Sequence, residues 1–347
     1  MRIFFRYISL LAGILLLAAG TLRAGEEKTA FNPKELVFEH LENEYGWRIA
    51  LPGGKHLAIS LPVIVRSKKS GWHLFSSSRL TDGAGYQGFR IAPEGANAGK
   101  IVETDTDGLE RRPLDLSVTK NVLAIVITAW VILLLLFPLV RWYKRDPLRA
   151  PKGFLGFLEK IIEMVYAEVI VPVLGKDARK FGPYLLTLFF FILCSNLLGL
   201  MVVFPGGANV TGNLSVTLAL ALCTFLVVNV SGSKKYWRDI FWPEVPSWLK
   251  FPVPLMPLIE LFCALTKPFS LMIRLFANML AGHLIMLVLV SLIFVFGAMG
   301  AAALGSSILF SVLFALFMGL LDVLICFIQA YVFMMLSTIF IALAREK

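Results

Sequence analysis

The chain has 347 residues, of which 58% are hydrophobic and only 16% are charged, and its mean hydropathy is +0.77. This is more apolar surface than a soluble protein of this size buries, so the composition indicates a protein of the lipid bilayer. The formal net charge of +10 does not indicate nucleic-acid binding, because Lys and Arg cluster at the ends of apolar runs, where they act as membrane topology signals. The four cysteines show neither metal-ligand spacing nor a disulfide framework.

Residues 1–24 are predicted to be an export signal. Arg2 and Arg6 flank the start of a short apolar core, Ile8–Ala19, which is too short to span a bilayer comfortably, and Leu22–Ala24 is a candidate cleavage region. An uncleaved membrane anchor is the alternative interpretation of the same residues.

Residues 25–117 are polar and contain no spanning segment, so they are predicted to form a small exported domain. Two β-type runs, Trp47–Leu51 and Leu57–Val65, flank Gly53-Gly54 and predict a hairpin. The histidines of this region are scattered and predict no metal site. The region offers no nucleophile with a neighbouring base, and its function is not predicted.

Residues 118–347 are predicted to be an all-α polytopic membrane domain with about five membrane helices. The predicted spans are Val122–Val140, Tyr184–Phe204, Leu214–Val230, Leu255–Phe296 and Ser306–Leu343. The amphipathic stretch Gly153–Leu174 is predicted to lie along the membrane face. The last two spans exceed the hydrocarbon thickness of about 30 Å, so we expect long, tilted and antiparallel helices joined by the link Gly297–Gly305.

Charge predicts the orientation in a bacterial inner (plasma) membrane. Basic clusters follow the first and third spans and end the chain, whereas the opposite loops, Phe204–Asn213 and Gly297–Gly305, carry no charge. Because basic clusters stay in the cytoplasm, the C-terminus is predicted to be cytoplasmic and residues 25–117 periplasmic. This agrees with the predicted export signal.

Ionisable residues inside the last two spans are the candidate functional residues, because such groups are costly in lipid and are usually kept for function. They are Glu260, Lys267, Arg274, His283 and Asp322. The first three recur every seven residues and share one helix stripe, with Ser270 and Asn278 beside it. Asp322 and Gln329 are also seven apart and share a face. If Gln329 lies level with Arg274, then His283 and Asp322 lie at one depth and can exchange a proton.

The stretch that contains Arg274 resembles a known family. Residues 267–283, KPFSLMIRLFANMLAGH, resemble the signature of the F-type ATP synthase a subunit, and Gln329–Phe333 resembles the motif of its last helix. Asn196–Leu200 and Asn213–Leu218 are similar to its preceding spans. The resemblance covers about residues 154–344 and says nothing about the exported extension. One departure is a swap, since many bacterial members carry glutamate at the position of His283 and histidine at that of Asp322.

The resemblance implies a non-catalytic, proton-translocating stator subunit with two offset half-channels. Arg274 would face the carboxylates of the rotating c-ring. Asn278, His283, Asp322 and Gln329 would line the outer half-channel, and Glu260 and Ser270 the inner one. The implied partners are the c-ring, the b subunits of the peripheral stalk and the lipid bilayer, with no nucleic acid. No cofactor or metal is implied, and the lack of a phosphate-binding glycine motif predicts no direct nucleotide binding.

Several alternatives stay open at this point. Arg274 pairing with Glu260 is disfavoured, because about 21 Å separates them along a continuous helix. His283 is alternatively a satisfied histidine of a helix bundle, Gln329 a polar contact between helices, and Glu260 a solvated carboxylate at a helix end. The rival functions are a stand-alone secondary transporter or ion channel and a membrane-anchored enzyme. The sequence leaves proton against sodium undecided.

Overall fold

The computed structural model describes residues 45–50, 56–67, 71–83, 85–92, 97, 99–104, 110–146, 148–201, 209–241, 255–297 and 301–345. The predicted signal peptide, residues 1–24, lies outside them. The chain divides into two compact units, residues 1–123 with 284–318 and residues 124–283 with 319–347.

The described part of the N-terminal region is built from short antiparallel strands. These are β1 (Gly46–Ala50), β2 (His56–Ser60), β3 (Pro62–Ser67), β4 (Gly71–Ser76), β5 (Phe89–Ile91), β6 (Ile101–Thr104), β7 (Glu110–Arg111) and β8 (Leu114–Asp115), with a 3-10 helix at Ser77–Gly83. They form three sheets, with strand orders β1-β2, β4-β3-β8 and β5-β6-β7.

The predicted hairpin is confirmed, since β1 pairs antiparallel with β2 and Trp47 lies opposite Ile59. The β-type run Leu57–Val65 is divided between two strands, β2 and β3. The chain leaves one sheet after Ser60 and begins another at Pro62, which has no backbone N–H to donate and therefore suits the first position of a strand.

Alternation along β3 separates a buried face from an exposed one. Val63 and Val65 are fully buried in a small core, whereas Pro62 and Arg66 are exposed. The buried members of this core are Tyr45, Val63, Val65, Phe75, Leu80, Phe89 and Ile101. Tyr45 donates a hydrogen bond to Asp115 Oδ2 at 2.5 Å. Burial first, and the neighbouring carboxylate second, raise the pKa of this phenol, so the neutral hydroxyl is retained.

From Lys120 onward, most of the described residues are helical. The helices are α1 (Lys120–Arg145), α2 (Phe154–Val165), α3 (Val171–Leu174), α4 (Ala178–Leu200), α5 (Leu214–Ser231), α6 (Lys234–Phe241), α7 (Leu255–Gly297) and α8 (Ala301–Arg345), with a π-helical turn at Tyr166–Ile170 and a 3-10 turn at Gly175–Asp177. Four helical stretches among the described residues are long and apolar enough to cross a membrane: Lys120–Arg145, Phe154–Leu200, Leu214–Ser231 and Leu313–Arg345. The predicted polytopic helical membrane protein with some N-terminal β structure is confirmed.

The two long helices differ from expectation only at their ends. α7 is continuous over 43 residues and α8 over 45. The predicted link Gly297–Gly305 is too long, because α8 begins at Ala301. Three consecutive alanines at its start have the highest helix propensity and extend the helix towards the connection.

Helix α4 lies at the centre of the second unit. Phe189 and Phe190 are buried, and the ring of Phe189 packs edge-to-face on Phe327 of α8, with 5.9 Å between centroids. Tyr184 and Thr224 of α5 share a hydrogen bond of 3.2 Å. Gly182 faces the π-helical turn, where an added Cβ would lie 2.7 Å from the Tyr166 ring, so this close approach requires glycine.

Candidate functional site

Two contacts fix how α7 and α8 run against each other. Asp322 Oδ1 lies 3.3 Å from the point where a Cβ on Gly282 would stand, and Lys267 Nζ lies 5.6 Å from the ring centroid of Phe340. Positions rise along α7 as they fall along α8, so the helices are antiparallel, as predicted. At the same register, Arg274 lies within about one helical turn of the level of Gln329.

Asp322 of α8 is a buried carboxylate at the contact with Gly282 of α7. Only 7% of the residue is exposed, and its Oδ2 has no hydrogen-bond partner among the described residues. The missing side chain of Gly282 makes room for it. His283 is the next residue of α7, so its backbone stands at the depth of Asp322, while its side chain lies outside the part that the structure describes.

A buried stripe on α8 carries both predicted polar residues. Asp322, Cys326, Gln329 and Phe333 follow one another at helical spacing, and each is at most 7% exposed. Gln329 Nε2 also has no partner among the described residues. A buried polar group without a hydrogen bond is destabilising and uncommon, so two on one stripe need an explanation beyond packing.

Arg274, unlike the buried stripe of α8, lies on an exposed stripe of α7. It is exposed, and Ser270, Ala277 and Ala281 are exposed on the same stripe of α7, whereas Met272 and Met279 of the far face are buried. Among the side chains that the structure describes, none forms a hydrogen bond or an ion pair with Arg274. Small flanking residues let another helix approach closely. The side chain is thus presented to something outside this chain's own core.

Glu260 lies on the same continuous helix, 14 residues before Arg274. A rise of about 21 Å rules out an ion pair between them. Glu260 is partly buried. Burial of Tyr236 in α6 is the larger cause that raises the pKa of its phenol, and the negative charge of Glu260 is the second. Glu260 therefore lies near Tyr236. The Tyr236 hydroxyl donates to Asn229 Oδ1 at 3.4 Å.

The remaining predicted residues lie on α7 between these landmarks. Asn278 is partly buried and Ser270 is exposed. Within the part of the chain that the structure describes, no contact brings Glu260 or Ser270 together with Asp322. Among the described residues, no three His, Cys, Asp or Glu side chains are placed to hold a metal ion.

A polar group at the end of α4 was missed as a site by the sequence reasoning. Ser195, Asn196 and Thr211 are each at most 1% exposed, and Thr211 Oγ1 donates to Asn196 Oδ1 at 2.6 Å. Ser195 Oγ has no partner among the described residues. The signal available in the sequence was a Ser-Asn pair inside an otherwise apolar run.

This polar group lies level with Asp322. α4 and α8 are antiparallel, because Asp177 pairs with Arg345 near one end and Phe189 packs on Phe327 further along. From the Phe189–Phe327 contact, Asn196 lies about 10.5 Å along α4, and Asp322 lies about 7.5 Å along α8 in the same direction. Polar atoms that lack a partner among the described residues therefore occur at one depth on two adjoining helices.

Two family models match two parts of the chain. The profile described as "ATP synthase A chain" matches residues 122–342, and "Domain of unknown function (DUF8433)" matches residues 36–117. ATP synthase subunit a of Myxococcus xanthus is 40% identical over 260 residues, 72% of this chain and 80% of that protein. The subunit a of Chloroherpeton thalassium is 39% identical over 235 residues, 66% and 67% of the two chains. That of Chlorobium phaeobacteroides is 38% identical over 240 residues, 66% of each.

Proposed function

The chain belongs to the ATP synthase A chain family, and from that premise we propose that it is the stator that carries protons to and from a rotating c-ring through two offset half-channels. As a membrane-sector subunit it works in a complex with other subunits and is not itself catalytic. The observation that carries the proposal is Arg274, a permanent cation on an exposed helix face with no partner among the described residues.

Arg274 is suited to meet a carboxylate on a neighbouring rotor. A charge at mid-helix costs about 2.5–3.5 kcal/mol on insertion scales, so it needs a partner of opposite charge or access to water. The guanidinium stays protonated at any accessible pH and therefore stabilises an ionised carboxylate without taking up its proton. Ser270 and Ala277 allow a partner helix to reach it. The same fixed charge separates the two half-channels electrically.

The outer half-channel is formed by Asn278, His283, Asp322 and Gln329. Support comes from the burial of Asp322 and Gln329 without partners for Oδ2 and Nε2, since water in a proton path would satisfy both atoms. The position of His283, one residue from the Gly282–Asp322 contact, suits an acid–base pair. Ser195 and Asn196 lie level with this pair and extend the same path.

The inner half-channel is formed by Glu260 and Ser270. Both lie on the Arg274 side of α7 towards its N-terminal end, 14 and 4 residues from that arginine. Tyr236, close to Glu260, and Asn229 add polar groups at this end. The two half-channels are thus offset along α7, with Arg274 between them.

The cycle follows from these positions. A proton passes the His283–Asp322 region and neutralises a c-ring carboxylate, which can then turn into lipid. After nearly a full rotation the carboxylate returns, is ionised beside Arg274, and its proton leaves past Glu260. A membrane potential supplies about 2.3 kcal/mol per charge per 100 mV to drive this rotation.

The proposed location is the bacterial inner membrane. Residues 25–117 are periplasmic after a signal peptide at residues 1–24, and the C-terminus is cytoplasmic. The basic clusters after the first and third spans support this orientation.

The test is Arg274→Ala in the assembled complex, with ATP-driven proton pumping measured in sealed vesicles. We expect coupled pumping to be lost, and Arg274→Lys to lose most of it, since an ammonium is a poorer fixed charge for a carboxylate than a guanidinium. Ile273→Ala, its exposed neighbour, is the matched control and should pump normally. Undiminished coupled pumping by Arg274→Ala contradicts the proposal.

Purification in mild detergent separates this proposal from a stand-alone transporter or channel. Co-purification with a c-ring, b subunits and the soluble ATPase supports the stator role. A stable homo-oligomer of this chain alone contradicts it. The Na⁺ dependence of ATP hydrolysis by the reconstituted complex then decides between proton and sodium.

A further inference from the structure

The sheet β4-β3-β8 of the N-terminal domain has a largely apolar face, made of two rows of three residues. Strand register places Leu74 opposite Ile64, and places Trp72 and Leu114 opposite Arg66. Leu116 N donates to Ile64 O at 2.9 Å, which brings Leu116 into the first of these rows. The exposed fractions are 73% for Leu74, 58% for Leu116 and 56% each for Trp72 and Leu114.

This face points away from the domain's own core. Val63, Val65 and Phe75 alternate with the face residues along β3 and β4, and all three belong to the buried cluster. Arg66 lies over the indole of Trp72, with its guanidinium carbon 5.5 Å from the ring centroid. A contiguous exposed apolar patch of this kind marks a surface that binds a membrane or a partner.

The face is tied closely to the start of the first membrane helix. Val118 N donates to Pro62 O at 3.1 Å, so the pairing of β8 with β3 continues to Val118, and α1 begins at Lys120. At no more than about 3.6 Å per residue, Leu116 lies within about 14 Å of Lys120. The sheet therefore cannot leave the neighbourhood of the bilayer surface from which α1 emerges.

The order of the two rows matches the order of a lipid surface. Along β8, the all-apolar row of Leu74, Ile64 and Leu116 lies nearer the membrane helix than the row of Trp72, Arg66 and Leu114. Going outward from a bilayer, acyl chains come first, and phosphates follow at the level where Trp and Arg collect.

We propose that this face docks on the lipid surface, with Leu74 and Leu116 in the acyl boundary and Arg66 on lipid phosphates. The domain of residues 36–117 is then a membrane-surface domain that holds the start of α1 in place. The proposal depends on α1 crossing the membrane and not on the half-channel assignment.

The test uses the assembled complex in vesicles of phosphatidylethanolamine and phosphatidylglycerol with brominated acyl chains. The four native cysteines are replaced by alanine, and a bimane fluorophore is attached at Leu74→Cys, at Leu116→Cys or at the control Lys100→Cys, an exposed position just before β6. We expect quenching by brominated lipid to be several-fold stronger at positions 74 and 116 than at position 100. Aqueous iodide should show the reverse order.

Two results overturn the proposal. One is equal lipid quenching at positions 74 and 100. The other is protection of position 74 from both lipid and iodide, which indicates a protein partner. A second measurement needs no cysteine changes: Leu74→Glu should speed proteolysis of the domain in vesicles several-fold while Lys100→Glu leaves it unchanged, and equal rates for the two variants also contradict lipid docking.

Discussion

Two sets of polar residues in the helical unit differ in how they are satisfied. At the C-terminal end, Arg345 forms a two-bond ion pair with Asp177 at 2.9 and 3.0 Å, and Ser233 N donates to Ala344 O at 2.8 Å. Further along the same helices, Ser195, Asp322 and Gln329 are buried with polar atoms that have no partner among the described residues.

The difference separates residues that hold the fold from residues that, under the proposed function, serve transport. A paired group stabilises the folded protein, so its loss should appear as reduced stability. A buried polar group without a partner costs free energy, so packing alone does not favour its presence. Under the proposed function, water or protons that pass these groups would satisfy them. The four predictions below test this division, from the largest expected effect to the smallest.

The largest effect is expected at Asp322, whose Oδ2 has no partner among the described residues. Asp322→Asn keeps the shape of the side chain but removes its charge and its ability to exchange a proton, so proton flux should fall by about 100-fold or more while assembly persists. Flux is measured in vesicles and assembly by native electrophoresis. The double swap His283→Glu with Asp322→His should retain more flux than either single change, because an acid–base pair is preserved. Normal flux in the single variants removes both residues from the path.

The polar group at the end of α4 contains a hydrogen-bonded pair, Asn196 and Thr211, beside Ser195, whose Oγ has no partner among the described residues. Thr211→Val leaves Asn196 Oδ1 buried without its donor and should lower stability by about 1–3 kcal/mol. Ser195→Ala removes a hydroxyl that has no partner among the described residues, and should change stability by less than about 0.5 kcal/mol. Thermal melting of the purified complex compares the two variants. Equal losses would show that Ser195 is structurally satisfied after all.

Gly282 offers a way to perturb Asp322 without changing it. A methyl group at position 282 would stand 3.3 Å from Asp322 Oδ1, so Gly282→Ala should displace the carboxylate slightly and reduce proton flux a few-fold. Gly319→Ala in α8 is the matched control, because a Cβ there meets no atom within 4 Å. Equal proton flux in the two variants would show that the position of the Asp322 carboxylate does not affect transport.

The smallest effect is expected at the paired end. Arg345→Gln should lower stability by about 1 kcal/mol, since the partly exposed pair is bidentate, and leave flux per assembled complex unchanged. The control is Glu163→Gln, which breaks the more exposed pair with Lys160 and should leave stability unchanged, because solvent screens that pair. If Arg345→Gln lost flux without losing stability, a paired residue would act in transport, which contradicts the assignment of paired residues to the fold.

Hydropathy and spacing predicted most of the helical architecture. The apolar runs predicted α1, α5, α7 and α8 to within a few residues, and the seven-residue spacing of Asp322 and Gln329 placed both on one face, which is buried. Strand pairing was less predictable. The break between Ser60 and Pro62 depends on which sheet each strand joins, and a run of β-type residues does not encode that choice.

The sequence by itself determined that this chain is a multi-pass helical membrane protein of the ATP synthase A chain family, because apolar length and local motifs are properties of consecutive residues. Tertiary structure decided which polar atoms are paired. Arg345 meets Asp177 across 168 residues, and Asp322 lies against Gly282 across 40. Such contacts depend on how helices pack, and periodicity within one helix carries no information about its neighbour's register.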